Sequence, residues 1–351
     1  MITLFTPSFA DEANTNAQNL TAKEIISRLP ADRFRVLLLG DGTPDPRILA
    51  RPNTEILRFS RQGNTVRWLT RILRSRIDVY FFPRTGPLDT LFLFCRRSLG
   101  LPVALVTYIV MALDEIAVGP TMTRSIREAD EVVGNSQYVS KTVRERFGVA
   151  AATIHSGINR ELFYAAQKAK GAGTKLRVLY AGSFQGRKRV DLINREAAKW
   201  PSVEFRLVGK GEEEDKVRSL AQELGCRNVT FVGHVSQQRL AEEMRQADVF
   251  LFPSVLEGHP QVLGQAASCG LPAIVMEKYR PDYVVNGETG YLVRSEGELS
   301  QKLGLLLTDQ GSRLKMSVAA ALHARKFDWD EVARNWERVF EEAAGKRRRK
   351  H

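Results

Sequence analysis

Two stretches of this chain hold charged residues in places where chemistry is easier to find than structure. The first is Gly182-Ser183-Phe184-Gln185-Gly186-Arg187-Lys188-Arg189, a glycine-flanked basic loop between an apolar strand (Leu176 to Ala181) and a helix. Three cations in a row at a helix N-terminus oppose its dipole, so they are expected to face an anion. The plain alternative is a solvated basic helix start. The second stretch runs from Ala247 to Pro272, ADVFLFPSVLEGHPQVLGQAASCGLP. Val249 to Phe252 is short, apolar and bounded, as a buried strand is. A loop with Pro253, Ser254, Glu257 and Gly258 follows. Pro260 is expected at the first helical position, where its missing N–H loses no bond. Gly270 and Pro272 stop that helix before a strand from Ala273 to Met276. A helix N-terminus beyond the carboxyl end of a strand binds anions, and fixed cations beside it stabilise negative charge that builds up in a reaction.

The elements that must position these loops alternate. Apolar strands at Met1 to Phe5, Arg33 to Gly40, Glu55 to Phe59, Asp78 to Phe82, Val103 to Thr107 and Glu131 to Val133 are separated by helical lengths. A second series begins at Leu176 and continues with Val203 to Val208 and Val229 to Val232. Strands alternating with helices indicate parallel, doubly wound sheets, whose ligands sit at the carboxyl ends of strands. At 351 residues the chain is long enough for two domains.

Composition narrows the class. Apolar content of 43% and charged content of 26% are those of a globular protein. The first residues, MITLFTPSFADEANTN, lack the basic region of a secretory signal, and no run is long enough to span a membrane. Cys95, Cys226 and Cys269 are far apart in apolar or helical contexts and read as free thiols of a reducing compartment. The histidines show no ligand pairing, and no metal site is expected. The expected location is cytoplasmic, with peripheral attachment at the inner membrane face as an addition. A net charge of +12 points to nucleic acid, an anionic membrane or an anionic small substrate. No nucleic-acid motif is present and the aromatics do not interleave with the basic residues, which sets nucleic acid aside.

The acid at Glu257, followed by Gly258 and Pro260, resembles the signature of the retaining family-4 glycosyltransferases of GT-B fold, the glycosyl transferases group 1 type. In that signature a second acid stands eight positions after the first; here the slot holds Gln265. The resemblance extends over most of the chain, is strong from Arg177 to Val293, and is weaker before Glu131. It implies an α/β architecture of GT-B type: two Rossmann-like, doubly wound domains with an interdomain cleft. The expected division is 1–165 for an acceptor-binding domain, 166–174 for a linker, 175–325 for a nucleotide-sugar domain, 326–345 for a helix crossing back to the first domain, and 346–351 for a basic tail.

The resemblance also implies a reaction. A sugar would pass from a UDP- or GDP-sugar co-substrate to a hydroxyl acceptor (a glycan, a lipid-linked glycan or a small molecule). Neither cofactor nor metal is expected, and polysaccharide biosynthesis is the implied setting. Glu257 would hold a donor-sugar hydroxyl and stabilise the oxocarbenium. Lys188 matches the family's phosphate-loop lysine, while Ser183 stands where an arginine is usual, so that Arg187 or Arg189 would supply the second cation. Gly182, Gly209, Gly211, Gly233 and Val235 would line the nucleotide pocket. Backbone at Gly258, His259, Gln261, Val262 and Leu263 would face sugar and diphosphate, with Pro260 contributing no N–H. Gln265 would meet the ribose with one neutral bond in place of a charge-assisted one, weaker by roughly 1 kcal/mol. On the acceptor side, Asn14 and Asn16 replace a usual glycine-rich loop, with a helix cap and surface loop as the plain reading. Tyr108 takes the slot of a usual histidine. The departures at Gln265, Ser183 and Tyr108 keep a second reading open, a nucleotide-sugar-binding pseudoenzyme.

Two basic features remain. Val66 to Arg76 places Arg67, Arg71 and Arg74 on one helical face and Val66, Leu69 and Leu73 on another, as in a helix able to lie on anionic lipid. An ordinary surface helix with its apolar face inward is the alternative. The tail Lys346 to Lys350 would add membrane attraction or act only as a solubilising end.

Overall fold

The computed structural model describes residues 1–7, 17–40, 43–58, 70–71, 74–82, 87–113, 117–166 and 175–349. It divides into two compact units, Met1–Ser156 with the C-terminal segment from Trp329, and Gly157–Asp328.

The first unit is built on strands β1 (Ile2–Thr6), β2 (Phe34–Gly40), β3 (Thr54–Arg58), β4 (Val79–Phe82), β5 (Ala104–Ile109), β6 (Glu131–Gly134) and β7 (Ala152–Thr153). All pair in parallel, in the order β3-β2-β1-β4-β5-β6-β7. Near-continuous apolar runs such as Ala104–Ile109 are buried along their whole length, as strands covered on both faces must be. Ser136 caps the helix Gln137–Phe147 by accepting from the Val139 N–H at 3.1 Å, and Gly148 closes it at φ 67°, a left-handed angle that suits glycine.

The last helix, Trp329–Arg348, belongs to this first unit. Its apolar stripe (Trp329, Val332, Trp336, Phe340, Ala343) enters the core formed by β1, β2, β4 and β5. The sequence suggested a separate basic tail from 346, yet the helix runs on through it to Arg348. Carboxylates at the amino ends of strands hold it there: Lys346 pairs with Glu131, and Arg348 Nη2 lies 2.8 Å from Asp78 Oδ1.

The second unit carries β8 (Arg177–Ala181), β9 (Glu204–Val208), β10 (Val229–Gly233), β11 (Val249–Phe252), β12 (Ala273–Met276) and β13 (Gly290–Val293). These too are parallel, in the order β10-β9-β8-β11-β12-β13. The change of unit falls between Ser156 and Gly157, ahead of the expected boundary at 165. Residues 157–165 are tied to the second unit because the Ile158 N–H donates to Phe327 O at 2.7 Å and Ser268 Oγ donates to Phe163 O at 2.5 Å. Residues 167–174 of the expected linker lie outside the described residues.

One buried ion pair holds the β9 side of this sheet. Glu243 is fully enclosed and accepts a fork from Arg206, Nε at 2.6 Å and Nη2 at 2.8 Å, with Arg239 Nη2 at 2.7 Å. Burial pushes the Glu243 carboxyl up, but the Arg206 fork, with Arg239 and Arg177, outweighs it and holds the group below its ordinary value. Glu243→Ala takes the fork from the Arg206 guanidinium, which keeps Glu204 Oε1 at 3.1 Å from its Nη1, and is expected to cost about 3 kcal/mol at neutral pH. The sign with pH follows. A carboxylate with a depressed folded pKa stabilises above its unfolded value and loses that contribution as pH falls through the folded one. The deficit of Glu243→Ala should therefore shrink on acidification below the ordinary carboxylate range, which urea titrations at pH 7 and pH 3 measure.

Candidate active site

In a parallel sheet the chain order reverses at one place, and the loops on either side of it diverge to leave a crevice. In the second sheet that place is the β8–β11 pair. Phe250 pairs with Leu179 and Phe252 with Val275, so the segments after Ala181, Phe252 and Met276 all leave the same edge. The basic loop follows β8 and the acidic loop follows β11, which brings together charges far apart in sequence.

Their meeting is direct. Glu257 Oε1 accepts from Lys188 Nζ at 2.5 Å, from Arg187 Nη1 at 2.8 Å and from Ser254 Oγ at 2.5 Å. Backbone contacts stitch the two loops: the Val255 N–H donates to Arg187 O at 2.9 Å, and Arg187 Nη1 donates to Leu256 O at 2.7 Å. Gly186–Lys188 forms a single 3₁₀ turn, closed by Arg189 at φ 49°. A non-glycine residue in that left-handed region is strained, and it persists only where neighbours enforce it. Here the enforcing partners are Asp191 Oδ1 at 3.4 Å from Arg189 Nε and Glu296 Oε1 at 2.7 Å from Nη2. Of the two arginines proposed for the second cation, Arg187 faces Glu257 and Arg189 is turned to these acids.

Lys188 is 7% exposed, with its ammonium 4.9 Å from the centre of the Phe252 ring. Burial lowers its pKa, against the opposing pull of Glu257. Two cations against one carboxylate leave the cluster net positive. The helix Gln261–Ser268 begins just beyond it, adding the positive end of its dipole. Cations and a helix start gathered in this way can hold an anion.

The glycines play a structural part. Gly209 has φ 133°, and a Cβ there would lie 1.9 Å from Gly182 O. A Cβ on Gly211 would lie 2.2 Å from Phe184 O. The turn after β9 thus runs backbone to backbone against the basic loop, sealed by the Phe184 N–H to Lys210 O at 3.0 Å and the Glu213 N–H to Phe184 O at 3.1 Å. Gly233, at φ 82°, accepts from the Gly209 N–H at 2.8 Å. Ser183 and Val235 are half-buried in the neighbouring loops.

Several expectations change. Pro260 is the residue before the helix, at φ −70° and ψ 106°, because that ψ is extended and the helix starts only at Gln261. The Leu263 N–H is already spent on Pro260 O at 3.0 Å, so it does not face a ligand. His259 is buried and stacks on Tyr283 at 3.9 Å, in an aromatic group with Phe327. Gln265 Nε2 donates to Gln237 Oε1 at 3.2 Å. Tyr108, expected on the acceptor side, lies inside the first unit's core at 1% exposure, edge-on to Trp336 with centroids 4.9 Å apart. The expected strand ended at Thr107, but β5 continues to Ile109 and carries Tyr108 inward. Its phenol lies 3.4 Å from both Ile154 O and Ser156 Oγ, and burial pushes its pKa far up. Asn14, Asn16 and Arg67 lie outside the described residues. Arg71 is spent on Glu55, Nε to Oε1 at 2.8 Å, while Arg74 is exposed. No described helix is long and apolar enough to cross a membrane.

One residue at the site was not singled out by sequence: Ser254 is fully buried against Glu257, and its short spacing to the acid, in a loop on a strand end, was the available signal. Tyr279, which with Lys278 stands where the resembled family has a glycine pair, is 1% exposed after β12.

Residues 165–323 match the family model described as glycosyl transferases group 1. An uncharacterised glycosyltransferase of Methanocaldococcus jannaschii is 24% identical over 217 residues, 61% of this chain and 60% of that protein. A D-inositol 3-phosphate glycosyltransferase of Streptomyces bingchenggensis is 28% identical over 242 residues, 61% of this chain and 53% of that protein. The alignments thus span between 53% and 60% of these relatives' length. Among solved structures, sucrose-phosphate synthase from Thermosynechococcus elongatus superposes with a TM-score of 0.78 at 19% identity, over 97% of this chain and 98% of the other. HepE of Anabaena, solved with UDP, gives 0.78 at 18% identity over 97% and 100%. At these identities the likeness establishes the fold, two Rossmann-like domains of GT-B type.

Proposed function

We propose that the protein, whose residues 165–323 match the glycosyl transferases group 1 model, is a retaining glycosyltransferase of the family-4 kind, moving a sugar from a nucleotide-sugar to an acceptor hydroxyl. The observation that carries this reading is the convergence of Lys188 and Arg187 on Glu257 Oε1 at the carboxyl edge of the second sheet. A nucleoside diphosphate offers the anion that would take those cations from Glu257. HepE of Anabaena, of like fold, has been solved with UDP and with UDP-glucose, and a UDP- or GDP-sugar is the donor class we assign.

The proposed chemistry needs few groups. The bond between the anomeric carbon and the β-phosphate oxygen breaks, and its electron pair stays on the diphosphate. Lys188, Arg187 and the start of the helix Gln261–Ser268 stabilise that charge, the work done elsewhere by a metal ion, so the reaction is assigned as metal-independent. Glu257, released from the cations, holds a sugar hydroxyl and steadies the oxocarbenium. The acceptor oxygen bonds to the anomeric carbon on the face the leaving group vacates, and its proton passes to the departing phosphate oxygen. We assign acceptor recognition to the first unit, and peripheral membrane attachment to the exposed Arg74 with the rest of its segment.

One observation favours the alternative, a binder without turnover: Gln265 lacks the charge for a strong ribose contact, and its Nε2 is spent on Gln237. A panel of UDP-, GDP- and ADP-sugars, scored for binding and for release of nucleoside diphosphate with a mixture of hydroxyl acceptors, separates the two. Release supports the transferase; binding without release supports the binder; no binding overturns both. In the supporting case Glu257→Gln should cut release about 100- to 1,000-fold. It should bind bare nucleoside diphosphate at least as tightly as the parent, because the competing carboxylate charge is gone.

A further inference from the structure

The helix Gln310–Ala324 turns its larger apolar side chains away from the protein. Its buried positions are Met316, Ala320 and Ala324. The alanines let it lie close on the preceding chain, where Ser317 Oγ donates to Gly270 O at 2.6 Å. Leu314, Val318 and Leu322 are 57%, 62% and 52% exposed. Spaced four residues apart, they stack along one line, on the side away from the buried set. A surface helix ordinarily does the reverse, with its apolar stripe inward and its polar residues out. Among the described residues of the second unit, no other large apolar side chain is more than half exposed. A line of this kind is not the single, scattered exposure that any surface shows.

Charge selects what covers it. From Gln310 to Lys326 the chain has no acidic residue. Asp309, just before, is taken up in capping: it accepts from the Ser312 N–H at 3.0 Å and from Ser312 Oγ at 2.6 Å. Lys315, three residues before Val318, and Arg325, three after Leu322, are exposed beside the line, and exposed Lys326 follows. Arg313 turns back instead, its Nη1 donating to Leu306 O at 2.6 Å. Apolar residues flanked by cations and free of acids are the make-up of a helix that lies on an anionic bilayer. The apolar side chains enter the acyl boundary, and the lysine and arginine reach headgroup phosphates. A second copy of the same face would bring only like charges together.

We infer that Gln310–Ala324 is an interfacial helix of the second unit, resting on anionic phospholipid through Leu314, Val318 and Leu322, with Lys315 and Arg325 at the headgroups. This surface is separate from the Arg74 segment and does not depend on the transferase reading.

Flotation of the full chain with vesicles tests it, using phosphatidylcholine alone or mixed with phosphatidylglycerol. Binding should be tighter to the mixture. Val318→Trp locates the contact: on mixed vesicles this variant should gain, relative to the parent, a blue-shifted emission that brominated acyl chains quench. Leu314→Gln, Val318→Gln and Leu322→Gln combined should weaken binding at least 10-fold, because that apolar area is no longer withdrawn from water. Lys315→Gln and Arg325→Gln should each weaken it about 5-fold. Melting temperatures should stay at the parent's, since the replaced side chains are exposed. No binding by the parent, or full binding by the triple variant, overturns the inference. So does an added indole that stays unquenched on bound protein, which would place the contact on another surface. A parent dimer in sedimentation that the triple variant loses would seat a second copy on the face, and a clear drop in that variant's melting temperature would show the residues packed within the fold; both overturn it too.

Discussion

Lys188→Met is expected to lower turnover about 100- to 1,000-fold and to weaken nucleoside diphosphate binding at least 10-fold, with little change in stability. Methionine keeps an unbranched stem over the Phe252 ring, where Lys188 now lies, and removes only the ammonium. The rate loss follows from the charge that builds on a departing diphosphate; removing one preorganised donor from such a site costs on this scale. The binding loss follows from one charge-assisted bond to phosphate in a partly desolvated site. Stability is nearly indifferent because burial already disfavours the charged lysine, as its lowered pKa records, and Glu257 keeps Arg187 and Ser254 as partners. The comparison with Glu257→Gln is sharper than either variant alone. Both should lose turnover, but bare nucleoside diphosphate should bind more weakly to the lysine variant and no more weakly to the glutamine one. Opposite movements mean that anion and carboxylate compete for the same cations. Parallel losses would mean that the pair is a structural strut, and the exchange of partners would be wrong. Titration calorimetry with UDP and GDP, followed by a nucleoside diphosphate release assay, measures both.

The site was legible where charge stood in a place without structural use. Arg187, Lys188 and Glu257 each sit at a strand-to-helix loop, and clustered cations at a helix start are costly unless an anion answers them. Parallel topology then supplies the meeting, because the loops beside the switch of strand order leave the same edge. Tyr108 was misplaced for a different reason. Apolar and aromatic strand residues have no stop signal of their own, so the pattern did not show that β5 runs on to Ile109. Whether a tyrosine at such an end faces ligand or core is decided by what covers it, here Trp336 from a helix far along the chain. Ser254 escaped notice because a hydroxyl gains significance only from its partners, and partners are tertiary facts. The C-terminal basic run escaped likewise: its helix persists because Glu131 and Asp78, at the starts of β6 and just before β4, neutralise Lys346 and Arg348. Runs of like charge without such partners have no reason to hold a helix.

Trp336→Ala should be the most damaging substitution for the first unit, costing about 4 kcal/mol. Trp336 is fully buried between Phe81 (centroids 5.0 Å), Tyr108 (4.9 Å) and Phe340 (5.5 Å). Alanine leaves a cavity lined by three rigid rings and strand backbone, which cannot collapse to fill it, and the cost of a large-to-small change grows with the volume left open. Total stabilities of such domains are about 5–15 kcal/mol, so the loss is a large share of the whole. The damage should also be local. The helix Trp329–Arg348 contributes its apolar stripe to the core on β1, β2, β4 and β5, and it follows in chain order a complete second unit. Hydrogen exchange should therefore show faster exchange in β4, β5 and this helix, with β8, β11 and β12 protected as in the parent. Trp336→Phe offers the control. It leaves a smaller void and removes the indole N–H, which is buried without a hydrogen-bond partner among the described residues. The two changes oppose each other, and a loss below about 2 kcal/mol is expected. If the alanine variant lost less than that, the last helix would be an accessory to the first unit's core. Uniform loss of protection across both sheets would instead show that the two units unfold as one.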